Sequence, residues 1–413
     1  MTRKPIILVA AALTMLASAC IQKVEYVDES RNILSEDLPI DFSWYSRRQG
    51  NVTTKADPDI FVGGGTGTDT HLRSGQQFGV FGYFHPQYKS GGVATAGGWS
   101  DGVNQNSPNL FYNEGVSVSE SGGNYTYDYT NSRFWPRNKL DRISFFAYYP
   151  YNPGIADGTP APGTVVESFL DKAYARQGLV GFYYTVPEKS EDQVDFMISD
   201  LCLDQSKAVW TEDNSKGLTG TATGKVKFYF RHALSQIRVK SVEFDSSGNP
   251  DVEVTVNYIR FNEVAVFGQC IPVPDYASRD ANTGRTPVAA TWPSATLSAS
   301  RPNLTSGVAA KVCYDDSDNF ITENVLLMIP HQFFTGATIE VNFDVRRKAD
   351  SGSGEYYQYT NNRLFAPLTT YSVSGWEPGK IYTYNIKLNL QKIDIDANVE
   401  DWIVAGDDVI MDK

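Results

Sequence analysis

The chain has 413 residues, with 48 acids against 36 bases and a formal charge of -12. That balance disfavours a nucleic-acid or anionic-membrane partner, because both are polyanions. Of its 4 cysteines three lie beyond Cys20, an odd number without CxxC spacing, which indicates neither a disulfide framework nor a zinc cage.

Arg3 and Lys4 precede an apolar run from Ile6 to Leu16, followed by Ala17-Ser18-Ala19 and Cys20. A basic start, an apolar middle and small residues before the cut form an export signal over residues 1–20. Cys20 is the expected lipid attachment site, since bacterial lipoprotein processing acylates a cysteine placed directly after small residues. Leu16 sits one place further from it than the usual lipobox leucine, and plain secretion with a free Cys20 is the alternative. The run is shorter than the roughly 20 residues of a spanning helix, so acyl chains are the expected membrane attachment. Residues 21–40 form a tether made acidic by Glu25, Asp28, Glu29, Glu36 and Asp37. It resembles the tether that sends some lipoproteins of Bacteroidetes to the cell surface.

About 390 residues remain after processing, enough for two domains at roughly 100–200 residues each. Aromatics make up 13% of the chain, and short apolar runs alternate with Gly/Asn/Asp/Ser clusters. This composition predicts an all-β protein with little helix. In a first domain over 41–205, Phe78–Phe84 and Ile143–Tyr149 read as strands buried on both faces. One helix is expected from a capping box at Thr164 to Glu167, with Val166, Phe169, Leu170 and Ala173 at helical spacing and Gly178 as its end. A polar, glycine-rich linker at 206–224 contains Trp210 to Gly217. The second domain, 225–413, collects alternating strands at Val226/Phe228/Phe230, Ile237/Val239, Val252/Val254/Val256 and Ile339/Val341/Phe343/Val345. The clearest strand is Tyr382–Leu390, with Tyr382, Tyr384, Ile386, Leu388 and Leu390 on one face. The expected architecture is two β-sandwiches in tandem, immunoglobulin- or transthyretin-like.

Catalytic traces are poor. His71, His85, His232 and His331 lack HExxH spacing, and there is no GxSxG elbow. His232 ends the inward series Val226, Phe228, Phe230 and is expected as a hydrogen-bonded core histidine, whereas His331 after Pro330 is expected in a strand-end turn. Gly220 to Lys225 lacks P-loop spacing, and Gly63, Gly64, Gly65 and Gly67 lack the βαβ context of a dinucleotide site. Asp315, Asp316 and Asp318 lack the glycine and distant glutamate of a calcium loop and read as a solvated turn. Cys202, Cys270 and Cys313 allow at most one disulfide. An all-β glycosidase needs only two carboxylates brought together from anywhere in the sequence, and nothing supports one. Trp99, Trp135, Trp210, Trp292 and Trp376 could form a sugar-stacking platform or fill the core. No cofactor, metal or enzymatic activity is expected.

Several stretches, in order, resemble the fimbrillin (Mfa-like) proteins of Bacteroidales. They are Asp41-Phe42-Ser43, Thr54-Lys55-Ala56, Phe78-Gly79-Val80-Phe81, Tyr125 to Tyr129, Phe134-Trp135-Pro136 and Phe145 to Pro150. Asp195-Phe196-Met197, Phe230 to Ser235, Ile329-Pro330 and Val399-Glu400-Asp401-Trp402 continue the series. The resemblance implies two-domain β-sandwich pilins exported as lipoproteins to the outer membrane and built into a fimbrium. It further implies that an arginine-specific protease removes the first strand and that a strand of another subunit fills the groove. Arg47 and Arg48 lie just after the candidate first strand Asp41 to Tyr45, where such a cut would belong, although a dibasic pair in a loop is equally a solvated one.

An uncut chain would be an anchor or accessory subunit. After Trp402 only Ile403 to Lys413 remain, with Val404, Val409 and Ile410 able to pair, which is short for a two-part donor arm and leaves a tip or accessory role open. The expected function is therefore a non-enzymatic fimbrial subunit or adhesin whose partners are other subunits, the outer membrane through Cys20, and host or bacterial surface ligands. The alternative is a surface lipoprotein that captures glycans for uptake.

Overall fold

In a computed structural model of the chain, the residues described are 39–47, 61–62, 69–104, 106–122, 124–138, 140–154, 163–167, 178–187, 192–206, 225–244, 252–281, 284–293, 304–305, 310–311, 326–348, 356–370, 373–388 and 393–401. They form strands joined by turns, with three-residue 3-10 turns at Tyr276–Ser278 and Leu368–Thr370. The expected all-β class is what the chain adopts.

The helix expected from Thr164 does not form at its start. Val165–Glu167 is a strand paired with Phe182–Thr185, and Val165 is buried. Two β-branched residues suit a pleated ladder better than a helix, and cross-strand pairing overrides a local capping pattern. Phe169, Leu170 and Ala173 lie outside the described residues.

The largest sheet is centred on Gln77–His85 and Arg142–Tyr149, paired antiparallel from Gly79↔Tyr148 to His85↔Arg142. Polar alternation is missing from both because both faces are covered. Phe78, Val80, Phe145 and Ala147 face one core, while Phe81, Tyr83, Phe146 and Tyr148 face the other. Glycine is required inside this sheet by neighbouring rings: a Cβ on Gly79 would fall 2.1 Å from the Tyr148 ring, and one on Gly82 would fall 2.5 Å from Phe111.

On its second face the sheet packs against Val165–Glu167, Phe182–Thr185, Phe267–Pro274 and Val288–Thr291, with Phe182 and Tyr148 rings 4.6 Å apart. Further along, Leu326–Met328, Ser235–Phe244, Lys380–Leu388 and Ile393–Asp401 form one sheet; Val252–Asn262, Thr338–Lys348 and Tyr356–Pro367 form the body of another. Their inner faces meet where Phe261 lies 5.7 Å from Tyr384, and Tyr382, Tyr384, Ile386 and Leu388 are all buried, as the alternation of that strand required.

One strand changes place. Lys225–His232, expected to open the second sandwich, lies in the largest sheet between Asp41–Arg47 and Met197–Ser199. Val226, Phe228 and Phe230 are buried against Phe42 and Phe78. Alternation specifies one buried face of a strand but not the sheet it joins.

The large sheet is tied to later parts of the chain by Asp200, which is fully buried. It accepts from Arg231 Nε at 2.8 Å, Arg285 Nε at 2.6 Å and the Val288 N–H at 3.2 Å. Arg285 also lies 4.0 Å over the Tyr229 ring.

Two buried histidines give the fold a pH dependence. Neither ring nitrogen of His85 has a partner among the described residues, and burial lowers its pKa against the pull of Asp204 and Asp101. Burial likewise lowers His331, partly offset by the bond from its Nδ1 to the Ile329 carbonyl at 2.8 Å. Both folded values lie below the ordinary value near 6.5, so the unfolded chain binds more protons as pH falls beneath it. The stabilisation is complete above about pH 6.5 and is lost towards the lower folded values. Urea midpoints are expected to drop between about pH 7 and pH 5.5, above most carboxylate titration, and the drop should shrink in His85→Gln. Midpoints flat over that interval would remove both histidines from the account.

Candidate functional site

The candidate site is the seat of the first strand, Asp41–Arg47. It runs parallel to Lys225–His232, with pairs from Asp41↔Lys225 to Tyr45↔Tyr229. Phe42 is fully buried, and its ring centroid lies 5.6 Å from Phe111, 5.4 Å from Tyr129, 5.9 Å from Phe145 and 5.6 Å from Phe228. These rings come from four separate segments, because Asp41–Arg47 and Asn124–Asp128, well separated in the order of the large sheet, approach each other. Burying a phenylalanine is worth about 1.5–3 kcal/mol, and well-placed ring pairs add about 0.5–1.5 kcal/mol each.

The strand is held at its start by polar contacts. The Ile40 N–H donates to the Arg133 carbonyl at 2.8 Å, and the Tyr129 hydroxyl donates to the Ile40 carbonyl at 2.8 Å. Partial burial raises the Tyr129 phenol above its usual pKa, keeping it a donor. Lys225 and Asp41 form an ion pair at 2.9 Å across the parallel pair; at this exposure it contributes under about 1 kcal/mol.

At the other end, Ser46↔Thr70 and Arg47↔Asp69 pair the strand with Asp69–Leu72. The first strand therefore extends past Tyr45, and Arg47 belongs to it rather than to a loop. Arg48 and Cys20 lie outside the described residues.

Tyr129 lies within a stretch already marked as part of the resemblance, but nothing in the sequence shows that its hydroxyl reaches Ile40. Lys225 carries no sequence signal for its pairing with Asp41.

Other candidates resolve into structure. His232 is buried and its Nδ1 lies 2.5 Å from Asp195 Oδ2. His331, expected in a turn, is buried instead: its Nε2 accepts from the Ala265 N–H at 3.2 Å, and its ring stacks 5.3 Å from Phe334. Trp99, Trp135 and Trp376 are core residues, and Trp292 packs on the core with its N–H on the Ala233 carbonyl at 2.8 Å, so these four form no sugar platform. Trp210, Cys313, Asp315, Asp316, Asp318 and the glycines at 63–67 lie outside the described residues. Cys202 and Cys270 are free and buried; burial raises both thiols, Cys202 to about 12. Among the described residues no group of His, Cys, Asp and Glu could hold a metal, and no helix is long and apolar enough to cross a membrane.

The sequence profile of the fimbrillin-like family matches residues 66–402. A fimbrium subunit, Fim1C, from Phocaeicola vulgatus is 24% identical over 375 residues, covering 84% of this chain and 88% of that protein. A crystal structure of a fimbrial protein from Bacteroides vulgatus superposes with a TM-score of 0.52 at 19% identity, covering 79% of this chain and 92% of that one. At that identity the likeness establishes a shared fold.

Proposed function

This chain belongs to the fimbrillin-like family, and from that premise we propose that it is a non-enzymatic fimbrial subunit that assembles by exchange of its first strand. One observation carries the reading: Phe42 fills a cage of Phe111, Tyr129, Phe145 and Phe228 from a seven-residue strand at the start of the described chain. Removing that strand would uncover the cage and the backbone edge of Lys225–His232 together. A strand from another subunit restores both the ladder hydrogen bonds and the ring contacts, which favours assembly over an open groove. The Fim1C relative, named a fimbrium subunit, supports the fimbrial-subunit part of this reading.

In this reading Cys20 carries the lipid that holds the precursor at the outer membrane, and cleavage follows Arg47 or Arg48. Arg47 pairs with Asp69 at the end of the strand, and strand ends open at low cost. A cut there leaves the first strand attached by noncovalent contacts alone.

Trypsin-like digestion of the purified lipid-free chain, followed by mass spectrometry and size analysis, tests the proposal. Cutting after Arg47 or Arg48 should be followed by loss of the first strand and a ladder of oligomers. A resistant site, or a cut chain that stays monomeric and keeps its strand, would overturn strand exchange.

A further inference from the structure

A second face of the molecule has the chemistry of a ligand surface. On the outer face of the sheet built from Val252–Asn262, Thr338–Lys348 and Tyr356–Pro367, polar side chains are joined into a hydrogen-bonded row. Asn257 Nδ2 donates to Asn342 Oδ1 at 2.8 Å and to Asp344 Oδ1 at 2.9 Å, and Asn342 Nδ2 donates to Asn361 Oδ1 at 2.6 Å. Beside this row Glu340 is 3% exposed although it points to the solvent side. It accepts from the Tyr258 hydroxyl at 2.9 Å and lies 3.9 Å from Arg260 and 3.7 Å from Arg363.

The buried carboxylate thus lies within ion-pair distance of two guanidinium groups. A third, Arg346, lies 3.8 Å over the Tyr356 ring. Rings flank them: Phe365 is 56% exposed and Tyr356 is 39% exposed. Arg260, Arg346, Lys348 and Arg363 outnumber Asp344, the buried Glu340 and Glu253, which opposes Arg346 in the register. Among the described residues the face is net basic, in a chain whose total charge is -12.

The geometry points to an acidic saccharide as the ligand of this face. Exposed rings offer flat apolar surfaces for the carbon face of a sugar, and the amide row addresses hydroxyls. Arginine forks match carboxylates in a bidentate way that a lone lysine does not. The amide row and the guanidinium groups stand on the face of the sheet, so a ligand lying on that face is read by side chains rather than by backbone groups. The assignment is independent of strand exchange, because a single uncut chain presents the whole face.

Affinity electrophoresis of the full chain through gels containing polygalacturonate, dextran or polyglutamate tests it. Polygalacturonate should retard the chain, and dextran and polyglutamate should not. Phe365→Ala and Arg363→Gln, both at exposed positions, should each weaken retardation about tenfold with unchanged melting. No retardation by polygalacturonate, equal retardation by dextran or by polyglutamate, or full binding by both variants would overturn the assignment. Retardation by polyglutamate would indicate an acidic protein partner instead.

Discussion

Phe42→Ala is expected to destabilise the chain by about 3–5 kcal/mol, the cost of emptying a fully packed aromatic site that cannot collapse. The four rings around Phe42 come from separate segments, so no single side chain can move in to fill the space. Urea denaturation of the uncut chain measures the loss. Phe42→Leu keeps part of the volume and should lose less. A loss under about 1 kcal/mol for Phe42→Ala would mean that the first strand is held by its ladder bonds, and the cage would then have no role in selecting a replacement.

Asp200→Ala is the second large effect, at roughly 3 kcal/mol. Removing a fully buried carboxylate leaves Arg285 and Arg231 without their shared partner, and only 16% and 32% of those side chains are exposed. Water reaches part of each guanidinium, which places the effect at the lower end of the range for a broken buried pair. Asp200→Asn keeps one acceptor and should fall between. A double-mutant cycle of Asp200→Ala with Arg285→Ala should return a coupling of about 1–3 kcal/mol. Zero coupling would assign the loss to the Val288 N–H and Arg231 instead. Arg285–Thr286 pairs with Leu201–Gln205, so its amides should exchange faster in Asp200→Ala than those of Lys380–Leu388, which is remote from Asp200.

Strict alternation was legible wherever one face of a strand is dry. Tyr382, Tyr384, Ile386 and Leu388, and Ile339, Val341, Phe343 and Val345, are buried in register with the sequence pattern. The dense runs around Phe81 and Phe146 were also legible, as strands buried twice over. Sheet membership was not. Lys225–His232 alternates like its successors, yet it pairs with Asp41–Arg47, a distant segment, where Phe228 meets the Phe42 ring. Val165–Glu167 failed as a helix for a related reason, since its partner Phe182–Thr185 lies beyond any local window.

At the candidate site, Asp41-Phe42-Ser43 was found through the resemblance, whereas the surrounding cage depends on which strands of the sheet approach each other. Of the two readings open for the tryptophans, Trp99, Trp135, Trp292 and Trp376 take the core one. The exposed rings of the outer face, Tyr356 and Phe365, carried no signal because aromatic residues on an edge strand look like core residues in sequence.

Strand exchange is tested most directly by adding a synthetic peptide of Asp41 to Arg47 to the cut chain and following oligomers by size. The peptide should block assembly by refilling the groove, and its Phe42→Ala form should fail to do so. Assembly undiminished by an excess of the native-sequence peptide would contradict the claim that oligomers grow through the seat of the first strand.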